Sequence, residues 1–285
     1  MNFSIPPIPL GDWIEGIIDW LVKTFSGLTN FISQTFDASF GGASELLLRI
    51  PPWGSIVVFA AVAFGITRKR KLTVLSALGL GLIWNLGLWE PMVNTFVLVI
   101  IATIISIVIG IPMGILAALS TSVHRILMPI LDFMQTLPAF VYLLPAIFFF
   151  GLGATPAIFA TVIFSAPPVI RLTVLGIDQV PEDLIEAADA FGSTWFQKLI
   201  KVQIPMSMPS IKAGVNQTVL LALSMVVIAA MIGAPGLGSE VWRAIQRLNT
   251  GMGFEAGIAI VILAMILDRL LQNLGGGDMK DAQSK

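Results

Sequence analysis

The sequence predicts an all-α polytopic membrane protein with about seven transmembrane helices, N-terminus out and C-terminus in. Three observations carry that expectation. The chain is 56% hydrophobic and only 12% charged over 285 residues, with a mean hydropathy of +0.91, values foreign to soluble domains. Its apolar residues fall in long continuous runs, where a closed β-barrel would show short alternating segments. Its basic residues gather on alternate sides of those runs. Composition also narrows the chemistry. With no cysteine and one histidine, His124, neither a thiolate nor an imidazole-rich metal site is expected. The net charge of −1 argues against a nucleic-acid partner. No secretory leader is expected, because the opening MNFSIPPIPLGDW lacks a basic start and a short apolar core.

Residues 1–50 read as an extracytoplasmic N-terminal tail. Ile14, Ile18, Leu21, Phe25, Leu28 and Ile32 recur at steps of four and three, one face of a helix, with Asp12, Glu15, Asp19 and Lys23 elsewhere. Such a helix can lie in the bilayer interface, anchored by Trp13 and Trp20, or pack on the transmembrane bundle.

A permease domain is expected over 51–275, followed by a cytoplasmic tail at 276–285. The spans fall at 52–66, 72–89, 94–119, 126–151, 156–175, 211–233 and 254–271. The first is short and is closed by Arg68, Lys69, Arg70 and Lys71. The third carries Gly110-Ile-Pro-Met-Gly114, a sequence expected to bend it. Proline punctuates the fourth at Pro129, Pro138 and Pro145, and the fifth at Pro167-Pro168. If the basic quartet is cytoplasmic, all but Lys23, Arg49, Arg243 and Arg247 of the sixteen Lys and Arg lie inside.

Between the fifth and sixth spans lies a polar segment, 181–205. Pro181 suits a first helical position, and Glu182 and Asp183 suit a first turn. Leu184, Ala187, Ala188 and Phe191 form one apolar stripe, and Gly192 stops the helix as a left-handed cap. Thr194 and Gln197 have capping-box spacing for a second helix, which Pro205 is expected to end. Phe191, Trp195 and Phe196 would then surround a glycine elbow. A surface hairpin packed on its own bundle has the same local pattern; exposed aromatics favour a docking partner.

The residues of this loop resemble a known motif. Glu186-Ala187-Ala188, Gly192 four positions on, and Val202-Gln-Ile-Pro205 match the EAA loop of ABC-importer permeases, with Val202 and Ile204 as departures from its I-x-L-P ending. Further runs are similar to the glycine betaine/proline betaine (ProU/OpuA-type) permeases: 134–145 (MQTLPAFVYLLP), 167–171 (PPVIR), 214–218 (GVNQT) and 222–228 (ALSMVVI). The resemblance covers about 90–275. It implies a type I ABC-importer (MetI-like) fold in a bacterial or archaeal cytoplasmic membrane. It also implies a coupling loop of Glu186, Ala187, Ala188, Phe191, Gly192, Trp195 and Pro205 seated on an ATPase. The implied partners are two ATPase subunits, an extracytoplasmic substrate-binding protein and a second copy of the chain, with osmoprotectant uptake by alternating access as the activity. No G-x-x-x-x-G-K-[ST] sequence occurs in the chain, so ATP and magnesium belong to the ATPase, and neither catalysis nor a cofactor is expected here.

Polar residues in the spans are candidates for the route, since such groups face a bundle interior or a water path. They are Gln135, Thr136, Phe140 and Tyr142 around the fourth span, and Asn216, Gln217 and Ser224 in the sixth. Asp132 is placed either with them or at the interface, about 10 Å along the axis from Arg125. Helix-to-helix hydrogen bonding is the competing role for each. Phe140 and Tyr142 offer aromatic faces to a quaternary ammonium cargo. On the outside, Glu240, Trp242, Arg243 and Arg247 are candidate contacts for the binding protein, or part of a structural lid. Three rival readings remain at this level. One is a permease for choline, carnitine or methionine. A second is an ion-coupled transporter, which needs ionisable residues at mid-membrane. The third is a membrane scaffold, which needs no elbowed loop.

Overall fold

A computed structural model describes residues 10–275; the last ten residues, the expected cytoplasmic tail, lie outside them, as do the first nine. Among the described residues the regular structure is entirely helical. In chain order the helices are α1 (Leu10–Thr24), α2 (Ser26–Leu48), α3 (Pro52–Thr67), α4 (Arg70–Asn85), α5 (Trp89–Leu119), α6 (Thr121–Thr136), α7 (Leu143–Phe150), α8 (Ala154–Asp178), α9 (Glu182–Ala190), α10 (Trp195–Lys198), α11 (Ile204–Ala229), α12 (Leu237–Gln246) and α13 (Thr250–Gly275).

Four stretches are long and apolar enough to cross a membrane unaided: α5, α8, the run Trp195–Ile232 and Thr250–Asn273. Two helix pairs qualify only jointly, and each is sharply broken. α2 and α3 meet at 101°, and α6 meets the Ala139–Phe150 segment at 112°. The seven expected spans therefore resolve into four continuous crossings and up to two bent ones. α3 and α4 have 16 residues each, about 24 Å of rise against about 30 Å of hydrocarbon, and they pack as a hairpin. The break after α6 follows from Pro138, which disfavours helical backbone at Leu137; Leu137 is extended there at φ −71°, ψ 136°.

The amphipathic segment predicted near the N-terminus is two helices rather than one. Trp13 and Trp20 of α1 are exposed, whereas α2 packs on α5, α7 and α8. The Thr155 hydroxyl of α8 donates to Asp37 Oδ1 of α2 at 2.7 Å, and Phe40 joins the main apolar core.

That core is centred on α5, α8 and α11, with α4 and α13 flanking it. Small residues set its geometry. Across the Gly110–Gly114 run, where a bend of the third span was expected, α5 stays helical through Pro112. A Cβ at Gly110 would lie 2.5 Å from Val169 Cγ1, and one at Gly114 would lie 2.8 Å from the Ile170 carbonyl. These glycines let α8 approach α5 in a small-xxx-small contact. Gly176 and Gly214 serve the α8–α11 contact likewise: a Cβ on Gly214 would sit 2.9 Å from Val169 Cα, and one on Gly176 would sit 2.9 Å from Ser207 Cβ.

Candidate functional site

The polar segment between α8 and α11 folds as a two-armed helical hairpin. Pro181 caps α9, and Glu182 and Asp183 occupy its first turn, where carboxylates face the positive helix end. The helix closes in a Schellman arrangement. The Ser193 N–H donates to the Ala188 carbonyl at 3.0 Å and the Gly192 N–H to that of Asp189 at 2.9 Å, with Gly192 left-handed at φ +72°. Ala188 and Gly192 of the EAA pattern are therefore joined through one backbone motif.

α10 opens with the expected capping box. The Thr194 N–H donates to Gln197 Oε1 at 2.8 Å, and the Gln197 N–H to Thr194 Oγ1 at 3.4 Å. Lys198 Nζ then reaches back to the Asp189 carboxylate at 2.7 Å, tying the second arm to the first.

Pro205 does not end this helix. The chain stays helical from Trp195 to Ile232 through a π-turn at Leu199–Gln203, where the Ile204 N–H reaches the Leu199 carbonyl five residues back. A proline ring normally clashes with the carbonyl four residues earlier, and a wide turn is one way a helix accommodates that insertion. The consequence is mechanical. α9 joins α8 through Gln179, Val180 and Pro181, and α10 is continuous with α11. A displacement of the hairpin therefore acts on the two helices that the glycine contacts hold together.

The hairpin presents apolar surface outward. Phe191 is 90% exposed, Trp195 59% and Phe196 61%. Leu184, Glu186 and Ala187 are exposed too, and Ala188 is half-buried. Three large aromatics around one turn form a patch of the kind that marks a contact surface.

The polar residues singled out in the spans separate into two groups. Gln217 and Ser224 are exposed, seven positions apart on one face of α11, and Ser224 Oγ donates to the Leu220 carbonyl at 3.0 Å. Gln135 and Thr136 are exposed at the end of α6, with Phe140 exposed just beyond. The others are engaged within the fold. Tyr142 is buried, its hydroxyl donates to the Met134 carbonyl, and its ring meets Phe164 edge-on at 5.8 Å, so it clasps the α6 break. Asn216 Nδ2 donates to Asp268 Oδ1 of α13 at 3.0 Å. Asp132 is ion-paired to Arg171 of α8.

Neither Asp268 nor the Asp132–Arg171 pairing was identified from the sequence. Both link residues far apart in the chain, and the one available signal was an acid and a base near the ends of different apolar runs.

About 39 Å of helix rise separates the hairpin from the far end of α11 (Ile204–Ala229). There a cavity of about 530 Å³ is lined by Glu90, Asn94, Ser239, Glu240, Trp242 and Arg243 among others. Glu240 and Arg243 pair at 2.9 Å, while Arg247, at the end of α12, is exposed and not part of the lining. Behind the cavity the start of α12 is closely packed on α5 and α11. The Leu237 N–H donates to Thr95 Oγ1 at 2.8 Å, and a Cβ on Gly238 would meet the Val226 carbonyl at 2.4 Å.

The multi-pass helical bundle thus carries an exposed hairpin at one end and a polar cavity at the other, and its family places it among transport permeases. The chain belongs to the family described as "Binding-protein-dependent transport system inner membrane component", whose model matches residues 110–275. It is 54% identical to the glycine betaine transport system permease protein OpuAB of Bacillus subtilis over 95% of each chain. Identity is 50% to the glycine betaine/carnitine transport permease protein GbuB of Listeria monocytogenes, over 94% of this chain and 96% of that one. It is 46% to the glycine betaine/proline betaine permease ProW of Escherichia coli, over 98% of this chain and 77% of that one. Among solved structures, an inward-facing form of the MetNI methionine ABC transporter matches with a TM-score of 0.58 at 21% identity, covering 72% of this chain and 99% of the other. At that identity the match concerns the fold, which is the expected MetI-like permease.

Proposed function

We propose that the chain is the membrane-spanning subunit of an ATP-driven, binding-protein-dependent importer of glycine betaine and proline betaine-type solutes. The observation that carries this reading is the 54% identity to a glycine betaine permease over 95% of both chains. The hairpin is the surface on which an ATPase subunit docks, with Glu186, Ala187, Ala188 and Gly192 at its centre and Phe191 and Trp195 as apolar anchors. Two ATPases bind a pair of permease chains in the cytoplasmic membrane of a bacterium or archaeon, and the N-terminus lies outside. An extracytoplasmic binding protein delivers cargo at the opposite end, against Glu240, Trp242, Arg243 and Arg247.

ATP closure moves α9, and α8 and α11 follow because the hairpin is covalently continuous with them. Docking must differ in free energy between the two states, since equal affinity shifts nothing. Gln135, Thr136 and Phe140, with Gln217 and Ser224 on α11, line the route or the seam between copies. Asn216 and Tyr142 act on it indirectly, by fixing α13 and the α6 break. A quaternary ammonium has no N–H donor, so Phe140 offers it a cation–π face.

Uptake of labelled glycine betaine by proteoliposomes holding the permease and its ATPase, with binding protein added, tests this. Cargo entry that requires ATP and the binding protein is expected. Entry indifferent to either would defeat the proposal. Carnitine is the second reading, favoured by the 50% identity to a glycine betaine/carnitine permease. Strong competition by carnitine, without competition by methionine, would place both in one trimethylammonium class.

A further inference from the structure

Trp242 and Arg243 are neighbours on α12, and the fold brings Glu90, at the start of α5, to the same cavity. That cavity, at the outer end of α11, encloses about 530 Å³, within the range of small-molecule sites, about 300–1,000 Å³. Its ionisable lining is two acids, Glu90 and Glu240, and one base, Arg243; Trp242 supplies an aromatic wall.

The charges are arranged unequally. Arg243 Nη1 donates to Glu240 Oε1 at 2.9 Å, the guanidinium's one side-chain hydrogen bond among the described residues. The remaining N–H groups of its fork stay open to a second carboxylate. Glu90 is exposed and forms no ion pair among the described residues. Two acids against one base leave the cavity net negative, and half-buried Trp242 sets an indole in the same wall. An ammonium without N–H groups is held by charge and by an aromatic face, and both are present. A plain anion would meet two carboxylates against one guanidinium. A plain cation would leave the guanidinium fork unused. A small molecule that carries both charges uses every group.

We infer that this cavity is a low-affinity receiving site for a small zwitterion with a quaternary ammonium and a carboxylate. Trp242 and Glu90 take the ammonium, and Arg243 takes the carboxylate. The inference rests on the betaine reading above and places the first station of that cargo on this chain. It differs from a binding-protein contact in needing no second protein.

The test uses the full-length chain in nanodiscs of phosphatidylethanolamine and phosphatidylglycerol, with no binding protein, ATPase or nucleotide. Saturation-transfer NMR reads the methyl signal of glycine betaine or of choline, which has no carboxylate. Betaine is expected to bind. Its tert-butyl isostere, which keeps the carboxylate but has no cationic centre, is not expected to compete. Trp242→Ala weakens betaine and choline alike, about fivefold, and Trp242→Phe restores most of the loss. Glu90→Gln weakens both about threefold. Arg243→Gln weakens betaine about tenfold and leaves choline no weaker. Melting temperatures report whether each variant folds. Wild-type betaine binding in the Trp242→Ala/Arg243→Gln double variant overturns the site. So do equal losses of betaine and choline in Arg243→Gln, or competition by the tert-butyl isostere equal to that by betaine. Variants that lose binding-protein-dependent uptake yet bind betaine as wild type make this a protein contact only, which also overturns it. The importer reading fails separately, on uptake by proteoliposomes. Transport without betaine binding here strikes the site alone, and binding without transport strikes the importer alone.

Discussion

Gly192 is the position where the proposed coupling role can be separated from the membrane fold. It holds φ +72°, and a Cβ there would meet nothing within 4 Å. Gly192→Ala therefore tests backbone strain alone, about 1 kcal/mol, or about fivefold in the population of the closed hairpin. Gly192→Asn should be milder, because Asn tolerates left-handed backbone. Gly192→Pro is far harsher. Proline fixes φ near −65°, about 140° from the observed value, and removes the N–H that donates to Asp189 at 2.9 Å. The hairpin cannot close in that variant, while the bundle it leaves untouched should melt as before. In proteoliposomes holding the full complex, ATP hydrolysis and cargo uptake are measured side by side. Uptake per ATP hydrolysed should fall in the order Asn, Ala, Pro, with the proline variant down by at least about tenfold. Uptake at the wild-type level in Gly192→Pro, or an equal loss in all three variants, would refute the assignment of coupling to this hairpin.

Further outcomes concern the packing of the bundle above the hairpin. Thr95→Val leaves the buried Leu237 N–H without the acceptor it now has at 2.8 Å, and should lower stability by about 1–3 kcal/mol, with Thr95→Ser restoring most of it in thermal unfolding. Gly214→Ala forces a methyl to within 2.9 Å of Val169 Cα. Overpacking of this kind costs about 1–3 kcal/mol, measurable as a lower melting temperature in detergent. Asn216→Ala removes one of the amides on Asp268, and should destabilise by about 0.6–2 kcal/mol; a melting temperature equal to wild type would show that Gln272 alone suffices.

Much of the polar hairpin was legible in order along the chain. A capping box needs two residues three apart, a Schellman turn needs one glycine, and an acidic first turn needs only its own helix. All three are local, so Pro181, Gly192, Thr194 and Gln197 declared the hairpin before any fold was known. Continuous apolar runs declared α5, α8, α11 and α13 for the same reason: the bilayer requires that each crossing satisfy its own backbone.

Proline and glycine proved ambiguous because their meaning depends on what lies across the contact. Gly110 and Gly114 had the sequence of a bend, and what the fold adds is that α8 packs directly against them. Pro205 had the sequence of a stop, and a π-turn carried the helix through it. The partners of Asn216, Asp132, Thr95 and Lys69 sit from 39 to 204 positions away, a separation no periodicity records. The sequence by itself determined a polytopic helical protein with an elbowed loop, because hydrophobic run length and helix capping are short-range effects. Only the tertiary structure decided which polar residues stay exposed and which are consumed between helices. A side chain's role in a bundle is set by the neighbour it meets, and that neighbour comes from elsewhere in the chain.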